Sequence, residues 1–184
     1  MPDFKVLKSE RLYAGKVFNL VVDHIEYSSG NRSIREVADH PGGAVAVPLR
    51  NNGDIILVRQ LRYPINQMLY ELPAGKLNTG EDPRECARRE LEEETGYTSE
   101  SWERLTAIHT TPGFCNELLH IYLAKNVRPS GKGQHLEEGE LNLTVESVPF
   151  DKAVRMIEIG EITDSKTICG ILLTERRLRN KTPL

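Results

Sequence analysis

The chain has 184 residues, of which 24 are basic and 27 acidic for a net charge of -3, with 39% apolar and 28% charged residues. That length suits one domain, or one domain with an extension, and the apolar share is enough to bury a core, which excludes a disordered protein. The charge is near neutral and of the wrong sign for bulk binding to a nucleic-acid backbone, and no apolar run approaches the ~20 residues that span a bilayer, so the expected partner is a small ligand or another protein.

The opening stretch MPDFKVLKSERLY carries no apolar leader segment, and Cys86, Cys115 and Cys169 form no CxxC pair. Reduced thiols in a cytoplasmic protein are expected. Extended segments dominate the first 70 residues: 16–26, then 32–39 after the turn Ser28-Ser29-Gly30-Asn31, then 44–50 after Pro41-Gly42-Gly43. Asn51-Asn52-Gly53-Asp54 predicts a hairpin turn into the strand that starts at Ile55, because Asn and Gly accept the positive φ of a tight turn. The pattern then becomes helical over 82–95, where Pro83 suits a first turn, Cys86, Ala87 and Leu91 recur at helical spacing, and Gly96 stands at the stop. Strands resume at 102–110, 118–124 and 143–148. Two helices close the chain, one capped by Asp151 and bearing Ala153, Val154 and Ile157, the other capped by Asp164 or Ser165 and bearing Ile168, Ile171 and Leu172. Residues 129–140, with three glycines and a run of acids, predict a mobile loop. A boundary near 39–43 divides an N-terminal antiparallel sheet, 1–42, from a mixed α/β core, 43–184.

Residues 81–94 hold seven acids. Glu90, Glu93 and Glu94 stand at i, i+3 and i+4, so three carboxylates share one helix face. Left alone they repel one another, whereas a hard divalent cation such as Mg²⁺ among them turns the repulsion into binding. The plain alternative is a solvated face stabilised by Arg88–Glu92 and Arg89–Glu93 pairs, and spacing alone does not separate the two.

Gly75, Glu81, Arg89, Glu90, Leu91, Glu93, Glu94, Gly96 and Tyr97 meet every fixed position of the pattern G-x5-E-x7-R-E-U-x-E-E-x-G-U, in which U is a bulky apolar or aromatic residue. On these residues the chain resembles the Nudix hydrolases. The resemblance implies an α/β/α sandwich with a mixed central sheet, extended by the N-terminal antiparallel sheet. It also implies a pyrophosphatase that cleaves a nucleoside diphosphate linked to another moiety, using Mg²⁺ or Mn²⁺. Carried over by position, Glu90 and Glu94 are the principal metal ligands, Glu93 a further ligand or water-holder, and the carbonyl of Ala74 another ligand. Arg89 orients a glutamate, and Glu81 supports the cluster.

Pro112, sixteen residues after Gly96, stands in Thr111-Pro112-Gly113-Phe114; with Arg59-Gln60-Leu61-Arg62-Tyr63-Pro64 and Glu71-Leu72-Pro73-Ala74-Gly75 it resembles the ADP-ribose pyrophosphatase branch. That implies hydrolysis of ADP-ribose to AMP and ribose 5-phosphate, although a Pro-Gly turn also accounts for Pro112. Arg62 is the candidate for a substrate phosphate, since a guanidinium binds phosphate oxygens bidentately. Glu71 joins it on the substrate side. Arg35 and Glu36 are candidates for the ribose and base, and Phe114 packs on the base or fills core. In this branch the general base often lies in the loop before the last strand, which points to Glu140, with Glu138 as alternate and Glu93 if neither serves. The resemblance further implies a homodimer built through the N-terminal sheet, while charge and hydropathy argue against a nucleic-acid or membrane partner. The rivals are the same chemistry on GDP-mannose or another nucleotide sugar, and a non-catalytic nucleotide-sugar-binding module. The second is disfavoured because Glu81, Glu90, Glu93 and Glu94 are all present.

Overall fold

A computed structural model describes residues 3–136, 138 and 142–180. Its contacts divide the chain into two units, Met1–Gly42 with His109–Leu118, and Gly43–Ile108 with Leu119–Leu184.

In the first unit, β1 (Phe4–Ala14), β2 (Asn19–Tyr27) and β3 (Arg32–Asp39) form an antiparallel sheet in the order β1-β2-β3. The strand β1 was not predicted. Its register against β2 shifts between Val6 and Lys8 and again between Arg11 and Tyr13, and each bulge breaks the period-two alternation by which a strand is recognised in sequence. Residues 114–116 dock on the end of β3, where the Ala38 amide donates to the Phe114 carbonyl at 2.7 Å and the Asn116 side chain donates to Asp39 at 2.8 Å.

The second unit is built on a sheet of order β12-β5-β4-β10-β9, comprising β4 (Gly43–Leu49), β5 (Asp54–Arg62), β9 (Ser101–His109), β10 (Leu118–Lys125) and β12 (Thr144–Pro149). Short strands β6 (Gln67–Glu71) and β7 (Ala74–Lys76) pair antiparallel with β5 and β4. The sheet is mixed, because β4 runs parallel to β10 while β12 runs antiparallel to β5. A two-stranded ladder of β8 (Tyr97–Thr98) and β11 (Arg128–Pro129) stands apart. The predicted hairpin turn at 51–54 forms, but β4 and β5 share the Leu49–Ile55 pair alone, since the start of β4 bonds to β7 on that edge.

Among the described residues three α-helices cover this sheet: α1 (Pro83–Thr95), α2 (Phe150–Glu158) and α3 (Ser165–Arg179). The strand alternation sorts the core into two faces. Val45, Val47, Ile55, Leu57, Ile121 and Leu123 pack with Ala153, Met156 and Ile171 of α2 and α3. Ala44, Ala46, Ile56, Tyr122 and Ala124 pack with Cys86, Ala87 and Leu91 of α1. Because both faces are covered, the central strands read as nearly continuous apolar runs. The small side chains on the α1 face let the acidic helix lie close to the sheet. The result is the α/β/α sandwich and mixed sheet that the resemblance implied.

Asp164 caps α3 as expected, accepting from the Thr167 amide at 3.0 Å. The expectation for α2 is corrected. Pro149 is its N-cap and makes no side-chain cap bond, while Asp151 lies inside the first turn, where it still favours the positive end of the helix dipole. Among the described residues no helix is long and apolar enough to cross a membrane.

Candidate active site

Helix α1 starts where Asp82 accepts hydrogen bonds from the Arg84 and Glu85 amides and Pro83 takes the first turn, and it ends at Gly96, whose φ of 71° reverses the chain. Between these ends the apolar residues Cys86, Ala87 and Leu91 face the sheet, which turns Glu90 and Glu94 toward β7. The Ala74 amide donates to Glu94 Oε2 at 3.2 Å. Glu90 lies over Gly75 so closely that a Cβ there would fall 1.8 Å from its Oε1. A glycine is required at that point by space rather than by φ. Ala74, Glu90 and Glu94 are thus brought together, with Glu94 only 3% exposed and Glu93 on the open side at 42% side-chain exposure.

Arg89 ties the cluster. Its Nε and Nη2 donate to the two oxygens of Glu81 at 2.9 and 3.1 Å, Nη1 donates to Glu90 at 2.6 Å and to Glu93 at 3.0 Å, and Nη2 also reaches the Lys76 carbonyl at 3.3 Å. Hydrogen bonding to Arg89, aided by the Asn78 amide and opposed by desolvation, lowers the Glu81 carboxyl to about 2. The same contacts raise Arg89 above its already high value. The expected Arg89–Glu93 pair is present, but Arg88 pairs with Glu85 at 3.4 Å and Glu92 with Lys132 at 2.9 Å. Cys86 is buried beneath this group, and burial, reinforced by Glu81 and Glu90, pushes its thiol up to about 12, so it stays protonated and is no nucleophile.

Three glutamates at the C-terminal end of a helix sit against the negative end of its dipole, where cations are favoured and acids are not. The site therefore carries a surplus of negative charge that the dipole does not relieve. Among the described residues no three His, Cys, Asp or Glu side chains converge on one point as they stand: Glu90 and Glu93 turn to Arg89, and Glu94 to the Ala74 amide. The carboxylates of Glu90, Glu93 and Glu94, within about one turn of α1, are the hard oxygens that Mg²⁺ or Mn²⁺ takes.

The loop after β11 closes the end of α1. The His135 amide donates to the Glu93 carbonyl at 2.8 Å, the Gln134 side chain to the Glu94 carbonyl at 2.7 Å, and the Ser130 amide to the Gly96 carbonyl at 2.8 Å. Helix ends leave such carbonyls without intrahelical partners, and the loop supplies them. Between Lys132 and His135 on the loop and Arg89 and Glu93 on the helix lies a cleft of about 480 Å³. The anchored segment leads directly to the candidate bases. Glu138 is exposed, while Glu140 lies outside the described residues.

Arg62 ends β5, and its Nε and Nη2 donate to the two oxygens of Glu71 on β6, each at 2.6 Å. Glu71 is 1% exposed and also accepts from Lys166 in the first turn of α3. Burial, the largest influence, pushes the Glu71 carboxyl up, but Arg62 and Lys166 together outweigh it and hold the group below its usual range. Arg62 and Glu71 are thus partners of one another. In the other unit, Arg35 and Glu36 are exposed on β3, with Arg35 donating to Ser33 Oγ at 3.0 Å and lying over the Tyr27 ring. Phe114 is 61% exposed, so it does not fill core.

Lys166, Gln134 and His135 were missed by sequence reasoning. One signal for Lys166 was available: a lysine two residues past an N-cap opposes the helix dipole, which points to a carboxylate elsewhere that holds it. Gln134 and His135 carried no comparable signal.

Residues 39–180 match the family model described as the NUDIX domain. The chain is 38% identical over 167 residues to the ADP-ribose pyrophosphatase of Bacillus subtilis (strain 168), covering 91% of this chain and 90% of that protein. It is 39% identical over 179 residues to the methanol dehydrogenase activator of Bacillus methanolicus, covering 96% of each. A crystal structure of an ADP compounds hydrolase shares the fold, with a TM-score of 0.84 over 100% of this chain and 98% of that one at 19% identity.

Proposed function

The chain belongs to the Nudix family, and from that premise we propose that it hydrolyses ADP-ribose to AMP and ribose 5-phosphate with Mg²⁺ or Mn²⁺ as its cofactor. The observation that carries this reading is the placement of the Glu90 and Glu94 carboxylates against the Ala74–Gly75 backbone by α1. The B. subtilis relative, similar over nine-tenths of both chains, supports the substrate.

Glu90 and Glu94 would hold the metal, with Glu93 and the Ala74 carbonyl as further ligands. Bound there, a divalent cation neutralises diphosphate oxygens and lowers the pKa of water. The chain's own residues do the rest. Arg89 keeps Glu81, Glu90 and Glu93 in fixed directions, so the carboxylates are set before substrate arrives. Arg62 binds a diphosphate oxygen through the edge of its guanidinium that Glu71 does not occupy. Glu71 thus serves the substrate through Arg62. Glu140, or Glu138, takes the proton from the attacking water, delivered by a loop whose base is fixed on α1 by Gln134 and His135. Arg35, Glu36 and Phe114, exposed in the first unit, remain the candidates for the ribose and base.

Residues 1–42 form the dimerisation lobe in this reading. Val6, Leu12, Tyr13 and Val17, at 53–64% exposure, supply the apolar surface that a second copy would cover. We place the enzyme in the cytoplasm, where its three free thiols stay reduced.

Hydrolysis of ADP-ribose, GDP-mannose, other nucleotide sugars and nucleoside triphosphates in H₂¹⁸O, with and without Mg²⁺, tests the activity. Metal-dependent release of AMP and ribose 5-phosphate is expected, with ADP-ribose the preferred substrate. Tight binding without turnover of any of them overturns the enzymatic reading in favour of a binding module. A fully active monomer by light scattering overturns the dimer.

A further inference from the structure

Glu71 is held by two cations where one would neutralise it. Arg62 takes both carboxylate oxygens with a matching fork, which is already the best geometry a carboxylate can find. Lys166, 8% exposed, nevertheless reaches Glu71 Oε2 from α3 and bonds Asp164 at 3.0 Å. Removing a lysine from water is costly, and because a whole buried ion group can often be exchanged for well-packed apolar residues without loss, such a group is weak evidence for stability. A buried lysine here calls for a reason other than holding the fold together.

The exposures supply one. Side-chain exposure rises from 1% at Glu71 to 10% at Lys166 and 17% at Asp164, then to 42% at Arg62. Arg62 is the member of the group that faces solvent, and Glu71 occupies its Nε and Nη2, which leaves the Nη1 edge for a ligand. Glu71 and Asp164 carry two negative charges, Arg62 and Lys166 two positive ones. Because Lys166 draws on both carboxylates, Glu71 is not available to cancel the charge of Arg62 in full.

The group is also joined to the glutamates of α1. Leu72, next to Glu71, donates its amide to Thr167 Oγ1 of α3 at 2.8 Å, and two residues later Ala74 donates its amide to Glu94. The stretch 71–74 is fixed by the first turn of α3 at one end and by α1 at the other, and Glu94 is close enough to Arg62 to help hold it protonated.

We propose that Lys166 is a positioning residue for substrate binding: by sharing the buried Glu71 carboxylate it fixes the direction of the Arg62 guanidinium and leaves that guanidinium enough net charge to take the diphosphate. This rests on the reading of Arg62 as the phosphate-binding arginine.

The test is a double-mutant cycle on the full chain, with KM and kcat for ADP-ribose in saturating Mg²⁺ for the wild type, Lys166→Met, Arg62→Ala and the double variant. Lys166→Met should raise KM about tenfold, with a smaller fall in kcat, and should add little once Arg62 is gone, because residues that act as one unit are not additive. Lys166→Arg, which keeps the charge, should recover most of the affinity. A merely structural lysine would give factors that multiply across the cycle, and that result overturns the inference. So does a Lys166→Met variant that is folded by circular dichroism and has wild-type KM. Should Lys166→Met fail to fold, Lys166→Arg and Lys166→Gln take its place, and equal KM values for the two overturn the inference. The underlying reading fails separately: Arg62→Ala with unchanged KM removes Arg62 from the phosphate, and a wild type that does not turn over ADP-ribose removes the substrate, the inference falling with either.

Discussion

Replacing Arg89 by Met tests whether the carboxylate cluster is held by one guanidinium. The substitution keeps most of the side-chain volume and removes the bonds to Glu81, Glu90 and Glu93 together. In the folded protein the Glu81 carboxyl is lowered from 4.5 to about 2, chiefly by Arg89 with help from the Asn78 amide. Taken at face value that is at most ~3.4 kcal/mol, and since part of the shift is not due to Arg89 and Arg89 is 30% exposed, solvent screening reduces it to ~1–2 kcal/mol. Repulsion among the three released glutamates brings the expected loss back to about 2 kcal/mol at neutral pH. A depressed carboxylate stabilises the fold above its unfolded value near 4.5, and the contribution is lost as pH falls through about 2. The gap between wild type and variant should therefore be full at pH 7 and shrink to about half by pH 3. Urea unfolding with chelator present, at pH 7, 5 and 3, reads it directly. A gap that does not change with pH, or one below about 0.5 kcal/mol at pH 7, which is no more than an ordinary surface substitution gives, would show that Arg89 does not hold Glu81 as described.

Three further outcomes follow from the same geometry. Gly75→Ala places a Cβ 1.8 Å from Glu90 Oε1; Glu90 is displaced while the fold persists, and kcat should fall about 10²-fold with little change in Tm, as for other small misplacements at a reacting centre. Wild-type kcat would mean that Glu90 is not needed in that position. Thr167→Val keeps the shape of a fully buried side chain but leaves the Leu72 amide without its acceptor, at a cost of about 1–3 kcal/mol read from the urea midpoint; an unchanged midpoint counts against that bond. Of Glu138→Gln and Glu140→Gln, at least one should lower kcat about 10²- to 10⁴-fold, and two variants near wild type would move the base to Glu93.

What the sequence made legible was whatever depends on neighbours along the chain. Helix α1 could be read from its cap, its apolar spacing and its stop, and the i, i+3, i+4 spacing placed Glu90, Glu93 and Glu94 on one face before any fold was known. The central strands were readable because β4, the first half of β5 and most of β10 are covered on both sides and so read as nearly continuous apolar runs. The strand β1 escaped because two bulges break its period, and β6 and β7, at five and three residues, are too short to show one.

Contacts between distant residues could be settled only by the tertiary structure. Glu71 and Lys166 are 95 positions apart, as are Leu72 and Thr167, and Gln134 caps a carbonyl 40 positions away. No local pattern encodes such pairs, because burial decides them: a carboxylate removed from water must find its cations wherever packing brings them, and helix carbonyls take whichever donors the next loop presents. The sequence by itself thus determined the acidic helix and the chemistry of its donors. Packing of α1 and α3 against one sheet decided that Glu90 meets Gly75, that Arg62 is held by Glu71, and that Lys166 shares the Glu71 carboxylate.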